Sequence, residues 1–267
     1  MDWRDEGILL STRPVGEGAA ILDVLTASHG RHGGTVRGGQ SARMGATLQP
    51  GTQLSLEWRA RLEDQLGAYR VEPLRSRASM LMESREALAA FNSMAALVIA
   101  FVPEREPDFE LYDASLDLVE ALCTRPREWL GVYVCWEAVF LSTLGFGLDL
   151  SRCAATGIRH DLCYISPRTG RAVSREAGGP FAEKLLPLPP FMVGEGVLTM
   201  AGVQAGLRSV GWFLQHRVCP AMERESVPEA RSRLVRLAAK VDLPPRGAGT
   251  LSVDFARWHR RMGLPQR

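Results

Sequence analysis

The sequence predicts an α+β protein with a five-stranded N-terminal β-barrel of the OB type, followed by an α-helical domain that carries an irregular insertion. Three observations predict it. From Glu6 to about Ser76, short β-rich segments alternate with turn residues. After Arg77 the apolar spacing lengthens from two to about 3.6. Between Asp149 and Pro180 periodicity is lost altogether.

Taken in order, Ile8 to Arg13, Ala19 to Thr26, Thr35 to Arg37, Leu54 to Arg61 and Leu66 to Leu74 are of strand length. Pro14 to Gly18, His29 to Gly34, the Pro50-Gly51 region and Glu63 to Gln65 separate them as turns. Leu54, Leu56 and Trp58 alternate with Ser55, Glu57 and Arg59, which puts one face of that strand on a core and the other in water. Five antiparallel strands in about 75 residues fit a small Greek-key barrel whose open face holds oligonucleotides, and an SH3-like barrel would give a similar pattern.

Leu88, Phe91, Ala95, Val98 and Val102 mark an amphipathic helix, and Trp129, Val132, Trp136 and Val139 mark another. Asp108 to Cys123 forms a third, stopped before Pro126, and Leu207, Val210, Leu214 and Val218 place a fourth ahead of Cys219-Pro220. Ser226-Val-Pro-Glu229 has the spacing of a capping box in front of a helix from Ala230 to Lys240. The expected organisation is therefore a barrel over residues 1–77, a helical domain over 78–243 with its insertion at about 149–180, and a flexible basic tail over 244–267. There is no internal repeat.

The chain has 267 residues and a net charge of only +2, so any affinity for phosphate must come from where the charges sit. Lysine occurs only at Lys184 and Lys240; arginine supplies the other cations and offers planar, bidentate contacts to phosphate. The acidic start, MDWRDEG, is unlike a secretory signal, and the longest apolar run, Met94 to Val102, is roughly half of the ~20 residues a membrane helix needs. A cytoplasmic protein with five reduced cysteines and no membrane contact is expected.

The most informative stretch runs from His29 to Trp58. It carries Arg31, Arg37 and Arg43 with no carboxylate between Asp23 and Glu57, and glycines at 30, 33, 34, 38, 39 and 45 keep its backbone low. The following strand adds Arg59 and Arg61 beside Trp58. Arginines on such a barrel suit an extended polyanion, so these five are the candidate DNA-binding residues. Trp58 and Tyr69 are candidate stacking rings, although each also fits the core. Arg257, Arg260 and Arg261, next to Trp258, form a possible auxiliary basic contact; they end a basic stretch from Arg231 that otherwise has the character of a solvated helix face and tail.

Other chemistry finds no support. Cys153, His160 and Cys163 make no paired zinc-ligand spacing. Gly16-Glu-Gly18 and Gly194-Glu-Gly196 lack the third glycine of a dinucleotide fingerprint, and no lysine completes a P-loop. Hydrolase, zincin and deaminase motifs do not occur, so the expectation is a protein that is not an enzyme and needs no cofactor or metal.

The opening MDWRDEGILLSTRPVGEGAAILDVLTASHGR, the glycine-rich VRGGQSARMGATLQPGTQL, the helix Trp136-Glu-Ala-Val-Phe-Leu-Ser-Thr-Leu-Gly-Phe-Gly147 and the loop from Cys153 to Gly170 together resemble the bacterial RecO recombination mediators. The likeness covers most of the chain and lies in the order and spacing of these segments. It implies an N-terminal OB-fold, a helical C-terminal domain, and a role in RecF-pathway recombinational repair. It also implies binding to single- and double-stranded DNA, strand annealing, and partnership with RecR and the C-terminal tail of single-stranded DNA-binding protein (SSB), so as to load RecA. The DNA-binding role falls on Arg37 and Arg43, with Arg31 just before them. Two departures stand out. The four-cysteine zinc site of many relatives corresponds here to Cys153, Thr156, Ser174 and Ala177, and Gln40 and Ala42 stand where cations are common. The rival from another class is an adaptor that binds only proteins, its arginines serving solubility; a nucleic-acid enzyme with an unrecognised site ranks behind it.

Overall fold

The computed structural model describes residues 1–62, 64–124, 128–241 and 256–262. It divides into two compact units, Met1–Cys123 and Thr124–Arg267.

The first unit is built on strands β1 (Asp2–Val15), β2 (Ala19–Thr26), β3 (Gly30–Val36), β4 (Gln53–Arg59) and β5 (Ala68–Arg75), with helix α1 (Ala42–Thr47) between β3 and β4. The strands close in the order β1-β2-β3-β5-β4. Closure depends on β1 serving two neighbours. Its first half pairs with β4, from Asp2 opposite Arg59 to Ile8 opposite Gln53, and its second half pairs with β2, from Gly7 opposite Thr26 to Val15 opposite Ala19. An irregularity between Leu9 and Ser11 gives the strand the local bend this requires. The period-two reading of β4 holds: Leu54, Leu56 and Trp58 are buried with Leu9, Leu22, Val24, Val36 and Tyr69.

Two features of the barrel depart from the sequence expectation. The stretch His29 to Gly34, expected as a turn, contributes most of β3, because its glycines meet close neighbours. A Cβ on Gly34 would lie 2.4 Å from the Tyr69 ring, so only glycine leaves room for that ring against the strand. The glycine-rich connection after β3 contains α1, whose N-cap Ser41 accepts a hydrogen bond from the Met44 N–H.

Helices α2 (Ala78–Glu83), α3 (Arg85–Phe101) and α4 (Phe109–Thr124) follow. Ser84 caps α3 through the Ala87 N–H, and Asp108 accepts from the Leu111 N–H at 2.8 Å at the start of α4. α3 packs on β1, and Glu120 of α4 receives Arg75 at 2.9 Å and the buried Arg77 at 3.3 Å.

The second unit is organised around α5 (Trp129–Thr143). The sequence expectation of an amphipathic helix is corrected here, since every residue from Trp129 to Leu141 is buried. A helix apolar all round belongs in the middle of its unit. It packs against α7 (Met200–Phe213) and α10 (Ala256–Arg261). Between α5 and α7, the segment expected to be irregular holds two short strands, β6 (Leu162–Ile165) and β7 (Ala172–Ser174), then α6 (Arg175–Gly178); β8 (Leu186–Pro187) completes a sheet of order β7-β6-β8. Strands of four, three and two residues are too short to show a period in sequence.

After α7 the chain widens into a π-helical turn at Leu214–Val218, makes the short α8 (Cys219–Ala221), and reaches α9 (Glu229–Ala238). The expected capping box is not formed. Pro228 holds the N-cap position, and Glu229 pairs instead with Arg236 at 2.6 Å. Within the expected flexible tail, Ala256–Arg261 is helical with Trp258 buried, and His259 meets the Phe191 carbonyl at 3.0 Å. The remainder of that expectation, 244–255 and 263–267, lies outside the described residues. No helix among the described residues is long and apolar enough to cross a membrane.

Candidate nucleic-acid interface

The predicted arginines separate into two groups once the barrel is built. Arg37 lies one residue beyond β3 and Arg43 lies in α1; both are exposed, and neither is in an ion pair among the described residues. Their backbone is held by Gln40, whose side-chain amide donates to the Ala19 carbonyl at 2.8 Å and the Gly16 carbonyl at 3.0 Å. That bond fastens the β3–β4 connection to the β1–β2 turn. Gln40 thus supplies rigidity where the resemblance led one to look for charge. Arg13, near the end of β1 and also exposed, joins this edge of the barrel, a placement that sequence alone does not give. Glu17 stands in the same turn and is the nearest carboxylate in sequence to it.

Arg59 and Arg61 occupy the end of β4 and the start of the β4–β5 loop. Both are exposed and outside any ion pair among the described residues. Arg59 lies between Asp2 and Ala68 in the strand register.

Arg31 behaves otherwise. Its guanidinium donates to the Val102 carbonyl at 2.9 Å, and pairs with Glu104 at 3.1 Å and Asp23 at 3.5 Å, leaving the side chain 13% exposed. Its charge is answered within the protein, and it braces the connection after α3 against β3. The expectation that it lines a cationic surface is therefore corrected. No carboxylate follows it closely in sequence, but two approach it in space.

The rings also sort themselves. Trp58 and Tyr69 are buried, as core residues. Trp58 donates to the Leu66 carbonyl at 3.0 Å, and the Tyr69 hydroxyl lies 2.9 Å from His32 Nδ1. Burial, with the nearby Arg105 charge adding to it, lowers the His32 pKa to about 4, so this imidazole is neutral at physiological pH.

In the second unit, Arg257 and Arg260 of α10 are exposed, while Arg261 lies with its guanidinium 4.9 Å from the Trp258 ring centre, a cation–π contact. Arg231, expected on a solvated face, is buried. It clamps both oxygens of Glu137 at 2.6 and 2.9 Å and donates to the Leu207 carbonyl at 3.0 Å; Tyr133 donates to the same carboxylate at 3.0 Å. Glu137 is the one charged residue of α5, and a carboxylate on an all-buried helix requires such a partner. Arg231 is thus taken out of any surface cluster.

At Cys153, which the resemblance aligns with a zinc ligand, the sulfur accepts hydrogen bonds from the Ser174 N–H at 3.3 Å and the Ser174 hydroxyl at 3.4 Å. Burial pushes this thiol up, but the donors of Ser174 and Thr156 outweigh it and bring the pKa down to about 6. No group of three or more metal-ligating side chains occurs among the described residues.

Residues 1–77 match the family model described as Recombination protein O N terminal, and residues 82–224 match Recombination protein O C terminal. The chain is similar to the DNA repair protein RecO of a Ruegeria species, 49% identical over 240 residues that cover 90% of this chain and 99% of that protein. It is similar to the DNA repair protein RecO of Cereibacter sphaeroides at 50% identity over 240 residues, with the same coverage, and to that of Rhodospirillum centenum at 48% over 237 residues, covering 88% and 94%. With both halves matched and such identity over nearly its whole length, the chain belongs to the RecO family of DNA repair proteins.

Proposed function

We propose that the protein binds DNA through the arginines at the edge of its barrel, anneals complementary single strands, and acts with RecR to load RecA on SSB-coated DNA in the cytoplasm, at the nucleoid. The observation that carries this reading is the set of exposed arginines, Arg37, Arg43, Arg59 and Arg61, at the end of β4 and in the connections of a closed OB-type barrel, with none in an ion pair among the described residues. Exposed guanidinium groups held on a rigid scaffold attract the sugar–phosphate chain of either strand without regard to sequence. Strands whose mutual repulsion is reduced in this way can pair. In this reading residues 1–77 are the DNA-binding domain and residues 78–243 take the protein partners, RecR and the acidic tail of SSB; Arg257, Arg260 and Arg261 add an auxiliary basic contact. Arg31 serves as a brace.

The test is annealing of complementary oligonucleotides coated with SSB, run with full-length SSB and with SSB lacking its C-terminal tail. The protein is expected to accelerate annealing with the first and to lose most of that effect with the second. A protein that binds SSB and RecR yet leaves both bare and coated strands unbound is the adaptor, and the DNA-binding reading then falls.

A further inference from the structure

At one end of the barrel, the start of β1, the β2–β3 turn and the end of β4 border a cleft of about 380 Å³ lined in part by the rings of Trp3, His29, His32 and Trp58. That volume lies in the ~300–1,000 Å³ range typical of small-ligand sites. Trp3 is one of its walls. It stacks on His29 with ring centres 4.0 Å apart and planes 9° from parallel, and on its cross-strand partner Trp58 at 5.6 Å. His32 meets both tryptophans edge-on at 5.0 Å. The stack thus runs Trp58, Trp3, His29, and the His29 side chain, 32% exposed, brings it toward solvent. Asp5 fixes that outer ring, receiving His29 Nδ1 at 2.9 Å and the Ser28 N–H at 2.8 Å.

The cleft also holds a positive charge that the backbone is bent to deliver. Arg105 lines it, and its φ of +66° is left-handed, a conformation few non-glycine residues adopt. The turn is locked from both sides. The Arg105 N–H donates to the Arg31 carbonyl at 2.8 Å, and a Cβ on Gly30 would come within 2.1 Å of the Glu106 carbonyl oxygen, so only glycine permits this approach. The surrounding contacts thus hold Arg105 in this conformation at the edge of the cleft. The Arg105 side chain donates to the Gln65 carbonyl at 2.8 Å, which fixes it beside the β4–β5 loop. The exposed Arg59 and Arg61 follow the cleft-lining Trp58 in the chain, and Arg59 pairs in register with the cleft-lining Asp2.

The geometry points to a nucleobase site: the cleft receives one unpaired base of single-stranded DNA against the Trp3–His29 stack, with the flanking phosphates on Arg105, Arg59 and Arg61. Planar rings joined to fixed cations are the combination by which proteins hold single strands, and paired bases, whose faces are covered, cannot use it. The site therefore supplies what exposed arginines alone lack, a preference for unpaired over duplex DNA. It rests on the DNA-binding reading above and extends it.

The experiment measures binding of full-length protein to two fluorescent oligonucleotides of equal length and charge, one with ordinary bases and one abasic. Wild type is expected to favour the base-bearing strand by about tenfold, the order of effect that stacking of one base on an aromatic ring gives. Trp3→Ala and His29→Ala should each weaken that strand and leave the abasic one unchanged, while Trp3→Phe keeps the preference. His29 lies on an exposed turn, so its variant decides the matter if Trp3→Ala fails to fold. Equal affinity of wild type for both strands, or an intact preference in a folded His29→Ala, overturns the site while leaving phosphate binding standing. Failure of wild type to bind either strand overturns both readings together.

Discussion

On the barrel, Arg37, Arg43, Arg59 and Arg61 are exposed to water, whereas in the helical unit the Arg231 side chain is 7% exposed and clamps a carboxylate that is wholly buried. The same side chain does different work because its surroundings differ. α5 is buried on all sides and carries one charge, Glu137, so the fold must supply a counter-charge with a matching fork of donors. Burial opposes the charge of Arg231, but Glu137 more than offsets this and holds the guanidinium above its ordinary pKa. At the barrel edge no carboxylate answers Arg37, Arg43, Arg59 or Arg61 among the described residues, so their field faces solvent. Arg31 shows how narrow the distinction is: six positions before Arg37, it is absorbed by Asp23 and Glu104.

The sharpest way to break this comparison is to remove a charge from each site. Arg231→Ala leaves Glu137 buried and unpaired, and is expected to cost about 3–5 kcal/mol, read as a lower denaturation midpoint. Arg231→Lys should recover only part of this, because a single ammonium cannot reproduce the two-pronged contact. A midpoint unchanged in Arg231→Ala would show that the pair contributes nothing to the fold.

Acid unfolding contrasts Arg231 with a buried group that gives up its charge. His32 is expected to bind its proton in the unfolded chain near pH 6.5 but in the folded protein only near pH 4. Its contribution is complete above pH 6.5 and is lost as pH falls toward 4, at up to about 1.4 kcal/mol per pH unit. Stability measured across this window should fall less steeply in His32→Gln; an identical slope would remove His32 from the acid response.

The smallest effect on the fold and the clearest on binding should come from the barrel edge. Arg37→Glu with Arg43→Glu is expected to leave the denaturation midpoint within ~0.5 kcal/mol, as exposed substitutions do. The log–log salt dependence of single-strand binding, about −3 for roughly four phosphates at −0.7 each, should flatten by about half. Lysine at both positions should preserve it. A slope unchanged in the double glutamate variant would remove this edge from DNA contact.

Which parts of this were legible in sequence follows from the range of the forces involved. Period-two alternation in Leu54 to Trp58 and the apolar spacings of α3 and α7 are local, so the barrel and most helices could be located. β3 was obscured because its glycines serve partners far along the chain, the Tyr69 ring and the Glu106 backbone. The fates of Arg31 and Arg231 were hidden for the same reason, since Glu104 and Glu137 lie 73 and 94 residues away. The exposure of Arg37, Arg43, Arg59 and Arg61 follows from residue type and setting, which sequence does show. Trp3, His29 and Arg105 are not legible in this way, because only the closed barrel and a left-handed residue bring them to one cleft.

The clamp on Glu137 also binds the sequence to itself. Gly211 on α7 faces the Arg231 guanidinium so closely that a Cβ there would lie 2.7 Å from Nη1. Positions 137, 211 and 231, on three separate helices, therefore constrain one another: a methyl group gained at the second makes the cation at the third shift within its clamp on the anion at the first.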